Sequence, residues 1–357
     1  MDLLASAIPL LAIPSTADRP DELHRALEYV LDFVGPGFTV ERFESNGKPS
    51  ALVYAGKRRR FPVILNGHLD VVPGTPDQFV PRLEGQRLYA RGAHDMKVSA
   101  LVEALVFREL GSSLPIALQL VTDEEVGGRH GTLHQLEQGV EGDFVVIGEQ
   151  SALRLVTDSK GIIGANLWAT GRTGHSAYPW LGDNALGKIL RSVENILTKY
   201  PVPAEEAWQT TVNVARIETP NQARNQIPAK AEAWLDIRFP PGTDLDGRTE
   251  SEVADYLRSL CVEGVSVEII YADPPHKADR SRPEVLALQQ AARNQGFDGD
   301  FLRKHGAADG RFYYQRGIDA VIFGIGGDGL HGPAEYVDIT TIEPYYRALR
   351  EFLAGAF

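Results

Sequence analysis

Histidine and carboxylate side chains collect where short apolar runs end. His68-Leu69-Asp70 follows Phe61 to Asn66 (FPVILN), and Pro73-Gly74 closes the extension, so His68 and Asp70 project the same way from a strand end. Glu124 and Glu125 follow Ile116 to Val121 and precede Gly127-Gly128, and Glu149 follows Phe144 to Ile147. His331 lies in Leu330-His331-Gly332-Pro333 behind a glycine-rich loop, and Asp95 stands in a glycine-bearing loop that runs into a helix starting near Lys97.

Each residue alone has an ordinary explanation. His68 and Asp70 are a cap and a solvating acid, Asp95 an N-cap, and the Glu124-Glu125 pair a solvated acidic turn. Together they are the donor types of a metal site. A carboxylate such as Asp95 offers one oxygen to each of two cations. Adjacent glutamates divide the work: one ligates, and the other takes a proton from a metal-activated water. The single cysteine, Cys261, excludes an internal disulfide framework and thiolate zinc sites, leaving His, Asp and Glu as ligands.

The chain has 357 residues, 43% of them hydrophobic, and no apolar run near the length that crosses a bilayer. This predicts two domains and no membrane partner. A net charge of -12 argues against a nucleic-acid partner, and the basic run Lys57 to Arg60 reads as a solvated turn. The apolar N-terminal stretch begins with Asp2, lacks a basic leader and is broken by prolines, so it reads as a first helix rather than a signal peptide. With one cysteine, a reducing, cytoplasmic setting is expected.

The elements that must position these groups follow from periodicity. Asp21 to Val34 and Val98 to Leu110 read as helices, and Phe61 to Asn66, Ile116 to Val121 and Phe144 to Ile147 as strands. Their alternation predicts an α/β fold, a mixed sheet sandwiched by helices, with ligands at strand ends. Between residues 163 and 271 the texture changes. Ala165 to Thr170, Thr210 to Ile217 and Ala231 to Phe239 alternate, and Ala185 to Lys199 and Arg248 to Leu260 are helical. This reads as an inserted α+β domain of antiparallel sheet and two helices, for which the resemblance given below implies a lid or dimerisation role. Residues 1–162 and 272–357 form the discontinuous catalytic domain, resuming with a helix Pro283 to Gln295, a strand Ala320 to Phe323 and a helix Ile342 to Leu353. Gly324-x-Gly326-x-x-Gly329 has dinucleotide-binding spacing, but Leu330-His331-Gly332-Pro333 follows instead of the helix that a pyrophosphate needs.

His68-x-Asp70 before Val-Val-Pro, Arg91-Gly92-x-x-Asp95-Met96-Lys97, Asp123-Glu124-Glu125 before Gly-Gly, Gly148-Glu149 and Leu330-His331-Gly332 occur in one order. In that order and approximate spacing the chain resembles the zinc amidohydrolase and exopeptidase family of acetylornithine deacetylase, succinyl-diaminopimelate desuccinylase, aminoacylase and carboxypeptidase G. The resemblance implies two zinc ions (cobalt or manganese suit the same ligands), with His68 and Glu149 on one, Glu125 and His331 on the other, and Asp95 bridging. Glu124 is then the general base, and Asp70 orients His68. It implies hydrolysis of the amide bond of an N-acyl amino acid or short peptide, by a deacylase or by a dipeptidase or carboxypeptidase. A non-hydrolytic metal-bound binding protein and a single-metal aminopeptidase are the rivals.

Further positions carry the resemblance into the insert. His175, in Gly174-His175-Ser176-Ala177-Tyr178-Pro179, resembles a lid histidine that reaches the partner subunit's site in dimeric members, so a homodimer through the insert is expected. Asn225, in Arg224-Asn225-Gln226-Ile227-Pro228, resembles a substrate-contacting asparagine. Arg311, in Asp309-Gly310-Arg311, is a candidate for a substrate carboxylate, by its planar fork. The stretch Asp158 to Ile163 (DSKGII) lacks the arginine that desuccinylases use on the succinyl group, leaving Lys160 as the positive charge there.

Overall fold

The computed structural model describes residues 3–355. The chain divides into two units. One runs to Thr157 and resumes over Lys277–Arg303 and from Ala308 onward; the other comprises Asp158–His276 with Lys304–Ala307. These boundaries lie a few residues outside the 163–271 expected from sequence. The strand Gly161–Thr170 begins before its alternation is visible, and a strand that periodicity did not single out, Val265–Asp273, runs past 271.

The first unit is built on a mixed sheet. Ile116–Val121, Arg60–His68, Glu141–Ile147 and Asp319–Ile322 lie side by side in that order and run parallel. Antiparallel neighbours flank them, including the hairpin Thr39–Ser45 and Lys48–Tyr54. Side chains alternate between two cores. Val63, Leu65, Leu118, Phe144, Val146 and Val321 face one layer, whereas Ile64, Ala117, Val145, Ile147, Ala320 and Ile322 face the other. Helices Leu3–Leu11, Pro20–Val34, Lys97–Leu110, Pro283–Asn294 and Ile342–Gly355 cover the first layer through residues such as Leu10, Leu27, Leu101, Leu288 and Leu349. The short helices Thr132–Glu137 and Gly310–Tyr314 cover the second through Leu136, Phe312 and Tyr313. Burial on both faces is why these strands read as continuous apolar runs, each large aliphatic side chain contributing about 1.5–3 kcal/mol. The strands are parallel, so their C-terminal ends share one edge.

A small antiparallel sheet orders Gly327–Asp328, Tyr336–Asp338, Arg87–Tyr89 and Arg82–Glu84. It joins the chain before Asp95 to the chain after His331.

The second unit is a four-stranded antiparallel sheet, ordered Thr211–Glu218, Lys230–Phe239, Gly161–Thr170 and Val265–Asp273. Helices Ala185–Lys199 and Glu250–Leu260 pack on one face, burying Ile163, Ala165, Leu167, Ile189, Ile196, Leu235, Ile237 and Leu257. Caps fix where these helices start. Asn184 accepts from the Gly187 N–H at 3.0 Å, and Thr249 and Glu252 form a reciprocal capping box.

Candidate metal centre

His68 ends the strand Arg60–His68, and the ladder continues around it. Leu69 N–H donates to the Val121 carbonyl at 2.9 Å, and Gly148 N–H donates to the Asn66 carbonyl at 3.0 Å. The strand ends carrying His68, Glu124-Glu125 and Glu149 are thereby held in one register. The helix Lys97–Leu110 passes close beneath: a Cβ on Gly67 would lie 2.9 Å from the Ala100 Cβ, and one on Gly148 would lie 2.7 Å from Glu103 Oε1. Glycine permits that approach.

At this edge ligand atoms of His68, Glu124 and Glu149 lie within 4.8 Å of one another, and so do those of Asp95, Glu125 and His331. Asp95 stands between the clusters. Its Oδ1 is 2.9 Å from His68 Nε2, and its Oδ2 is 3.5 Å from His331 Nε2, which is itself 3.2 Å from Glu125 Oε2. His68, Asp95 and Glu149 are buried, whereas the His331 side chain is 49% exposed and its backbone is left-handed at φ 57°.

The electrostatics follow from crowding acids under low solvent access. Burial, then the neighbouring Glu149, raises the Glu124 carboxyl well above its ordinary value. Burial, with Asp95 and Asp70 adding to it, pushes Glu125 up to about 7. Burial opposes a charge on His68, but hydrogen bonds with Asp70 and Asp95 outweigh it and raise that imidazole well above its ordinary value. The Asp95 carboxylate likewise raises His331. Each cluster supplies one imidazole and two carboxylates, a donor set suited to a divalent cation whose charge would relieve this repulsion. The residues therefore fit a pair of metal ions.

Asp70, 0% exposed, serves both sides of the centre. Its backbone carbonyl is 3.1 Å from His68 Nδ1, and its carboxylate accepts the N–H groups of Glu124 at 3.2 Å and Glu125 at 3.0 Å. The residue read as orienting one ligand thus also anchors the turn carrying two more acids.

Arg311 is bonded to the turn that carries the two glutamates. It is 4% exposed, its Nη2 donates to the Gly127 carbonyl at 2.8 Å, and its Nη1 lies 3.7 Å from Asp309 Oδ1. A fork so engaged braces the turn Glu124–Val126.

The remaining candidates lie in the second unit. His175 and Asn225 are exposed on neighbouring segments: Ser176 N–H donates to the Asn225 carbonyl at 2.9 Å, and Ile227 N–H to the Gly174 carbonyl at 2.8 Å. Lys160 is buried with its ammonium 5.7 Å from the Trp208 ring centroid, and burial with nearby Arg238 lowers its pKa. Sequence reasoning missed Glu335, a buried acid bonded to the backbone at Asp95. Its local sequence shows only one acid in a loop.

The fold and the paired clusters define a metal-dependent amide hydrolase. The profile of peptidase family M20/M25/M40 matches residues 64–355, and the chain belongs to that family. It is 34% identical over 260 residues to a succinyl-diaminopimelate desuccinylase of Sphingopyxis alaskensis, covering 67% of this chain and 68% of the relative. It is 29% identical over 347 residues to a probable carboxypeptidase of Aspergillus terreus, covering 88% of this chain and 74% of the relative. An M20 family metallo-carboxypeptidase from Sulfolobus solfataricus has the same fold, with a TM-score of 0.74 at 18% identity, covering 99% of this chain and 98% of that one. Among the described residues no helix is long and apolar enough to cross a membrane.

Proposed function

We propose that the chain hydrolyses the amide bond of an N-acyl amino acid or short peptide, with Glu124 as general base and two zinc ions bound. The observation that carries this reading is the placement of Glu124 within 4.8 Å of His68 and Glu149, beside an equivalent cluster of Asp95, Glu125 and His331. His68 and Glu149 would hold one ion, Glu125 and His331 the other, and Asp95, with an oxygen toward each histidine, both. The bound ions supply a polarised amide carbonyl and a more acidic water. Glu124 takes the proton of the attacking water and returns it to the leaving nitrogen, so that the C–N bond breaks to an acid and an amine.

A substrate with a free carboxylate is the preferred class. Lys160 and Asn225 are assigned to substrate binding and His175 to the oxyanion, acting across a homodimer formed through an edge strand of the inserted sheet, in the cytoplasm. Both the desuccinylase and the carboxypeptidase relatives support a carboxylate-bearing substrate, and the absence of arginine from Asp158–Ile163 favours an acetyl or aminoacyl group over succinyl.

Glu124→Gln tests the base. Turnover is expected to fall about 10²–10⁴-fold with metal content still near two per chain; full activity would rule Glu124 out. Assays with acetyl-amino acids, succinyl-amino acids and dipeptides identify the acyl group, and no hydrolysis of any of them would leave a binding protein. Sedimentation at micromolar concentration tests the dimer, and a monomer would remove His175 from catalysis across subunits.

A further inference from the structure

Arg91 and Glu335 form a buried ion pair, with Arg91 Nη1 donating to Glu335 Oε2 at 2.6 Å and side chains 3% and 1% exposed. Neither residue stops at the other. Glu335 Oε1 accepts the backbone N–H groups of His94 at 3.0 Å and Asp95 at 3.2 Å. Arg91 Nη2 donates to the carbonyls of His331 and Gly332, both at 3.2 Å. One carboxylate therefore grips the loop of Asp95, and the guanidinium bonded to it grips the loop of His331.

These two ligands need such a device more than their neighbours do. His68 ends a strand whose ladder holds it, whereas Asp95 and His331 both lie outside helices and strands. Their side chains must nonetheless meet at 3.5 Å, the Asp95 Oδ2 to His331 Nε2 distance. A planar guanidinium and a two-oxygen carboxylate can each bond in two directions at fixed angles, which a lysine or an amide pair does less well.

We propose that the Arg91–Glu335 pair is a positioning clamp that sets the spacing of Asp95 and His331 and with it the affinity of the Asp95, Glu125 and His331 cluster for its metal ion. This rests on the two-metal reading above. Stability alone does not account for the pair, because desolvating both charges offsets most of their attraction, and an apolar pair of similar volume is often as stable.

That balance supplies the test. Arg91→Met combined with Glu335→Met replaces the pair by apolar side chains, and zinc binding is titrated against a competing chromophoric chelator beside apo-protein melting. The weaker of the two zinc affinities is expected to fall about 10–100-fold and the tighter one less, since Asp95 is the only displaced ligand it shares, with the apo melting temperature little changed. Two unchanged affinities in a folded variant would overturn the clamp, even if melting moved. Should the double variant not fold, Glu335→Gln keeps the shape and removes the charge; the weaker affinity should again drop, and an unchanged value overturns the proposal. A parental chain that binds no second zinc ion would sink the two-metal reading and the clamp together, whereas two ions bound by the variant with the parent's affinities sink the clamp alone.

Discussion

The hydrogen bond from His68 Nδ1 to Asp70 is made at 3.1 Å to the backbone carbonyl, while the Asp70 carboxylate stands off at 3.5 Å and turns toward the amides of Glu124 and Glu125. The Nδ1 proton is thus held by a main-chain oxygen, leaving Nε2 facing Asp95, where it would be available to a metal ion.

Asp70→Asn should therefore disturb both halves of the centre. The amide can present only one oxygen to two N–H donors, so the turn loses an acceptor. Zinc affinity is expected to weaken about 10–100-fold, read by chelator competition. Affinity equal to that of the parent would show that the carboxylate is dispensable.

Arg311→Met removes the donor to the Gly127 carbonyl and leaves Asp309 buried without its nearby cation. Loss of one partner of a buried pair destabilises by about 3–5 kcal/mol. The melting temperature and kcat should fall together, with KM changed little. A selective rise in KM with normal melting would instead return Arg311 to the substrate carboxylate.

Glu103 sets a pH dependence of stability. It is fully buried within 3.3 Å of Tyr345 Oη, and burial raises its carboxyl well above the ordinary value. The folded state then holds a proton that the unfolded state releases above about pH 4.3, so stability falls as pH rises from there toward the folded value. Glu103→Gln should be less sensitive between pH 5 and 8 than the parent, and more stable at pH 8, in urea unfolding. Parallel curves for the two proteins would exclude this origin.

Removing metal should lower the melting temperature, since ligands bound only to the folded state stabilise it by about 2.7 kcal/mol at a hundredfold excess over Kd. A chelator scan followed by zinc readdition checks this. Melting that is indifferent to both would argue against either cluster holding a metal.

Much of this centre was legible because donor residues follow apolar runs. Ile116–Val121 and Ala185–Lys199 have the limits that their periodicity sets, and His68, Glu125 and Glu149 lie at or just beyond strand ends. The hairpin Thr39–Tyr54 was not singled out, since its outer strand TVERFES is largely solvent-facing and lacks an apolar run. Glu335 was invisible for a different reason. Its meaning lies in a bond to an amide 240 residues away, which no local pattern encodes.

The two-sided burial of the strand Arg60–His68 restricts how chain length can vary here. Its residues alternate between separate cores, so deleting one between Phe61 and Asn66 would send Ile64 and Leu65 to the wrong layers and turn His68 away from Asp95. Insertions and deletions are tolerable in the connecting turns, such as Gly56 to Arg59, but not within the strand. The reading frame of side chains along this one strand is thus as much a part of the candidate centre as the donor residues themselves.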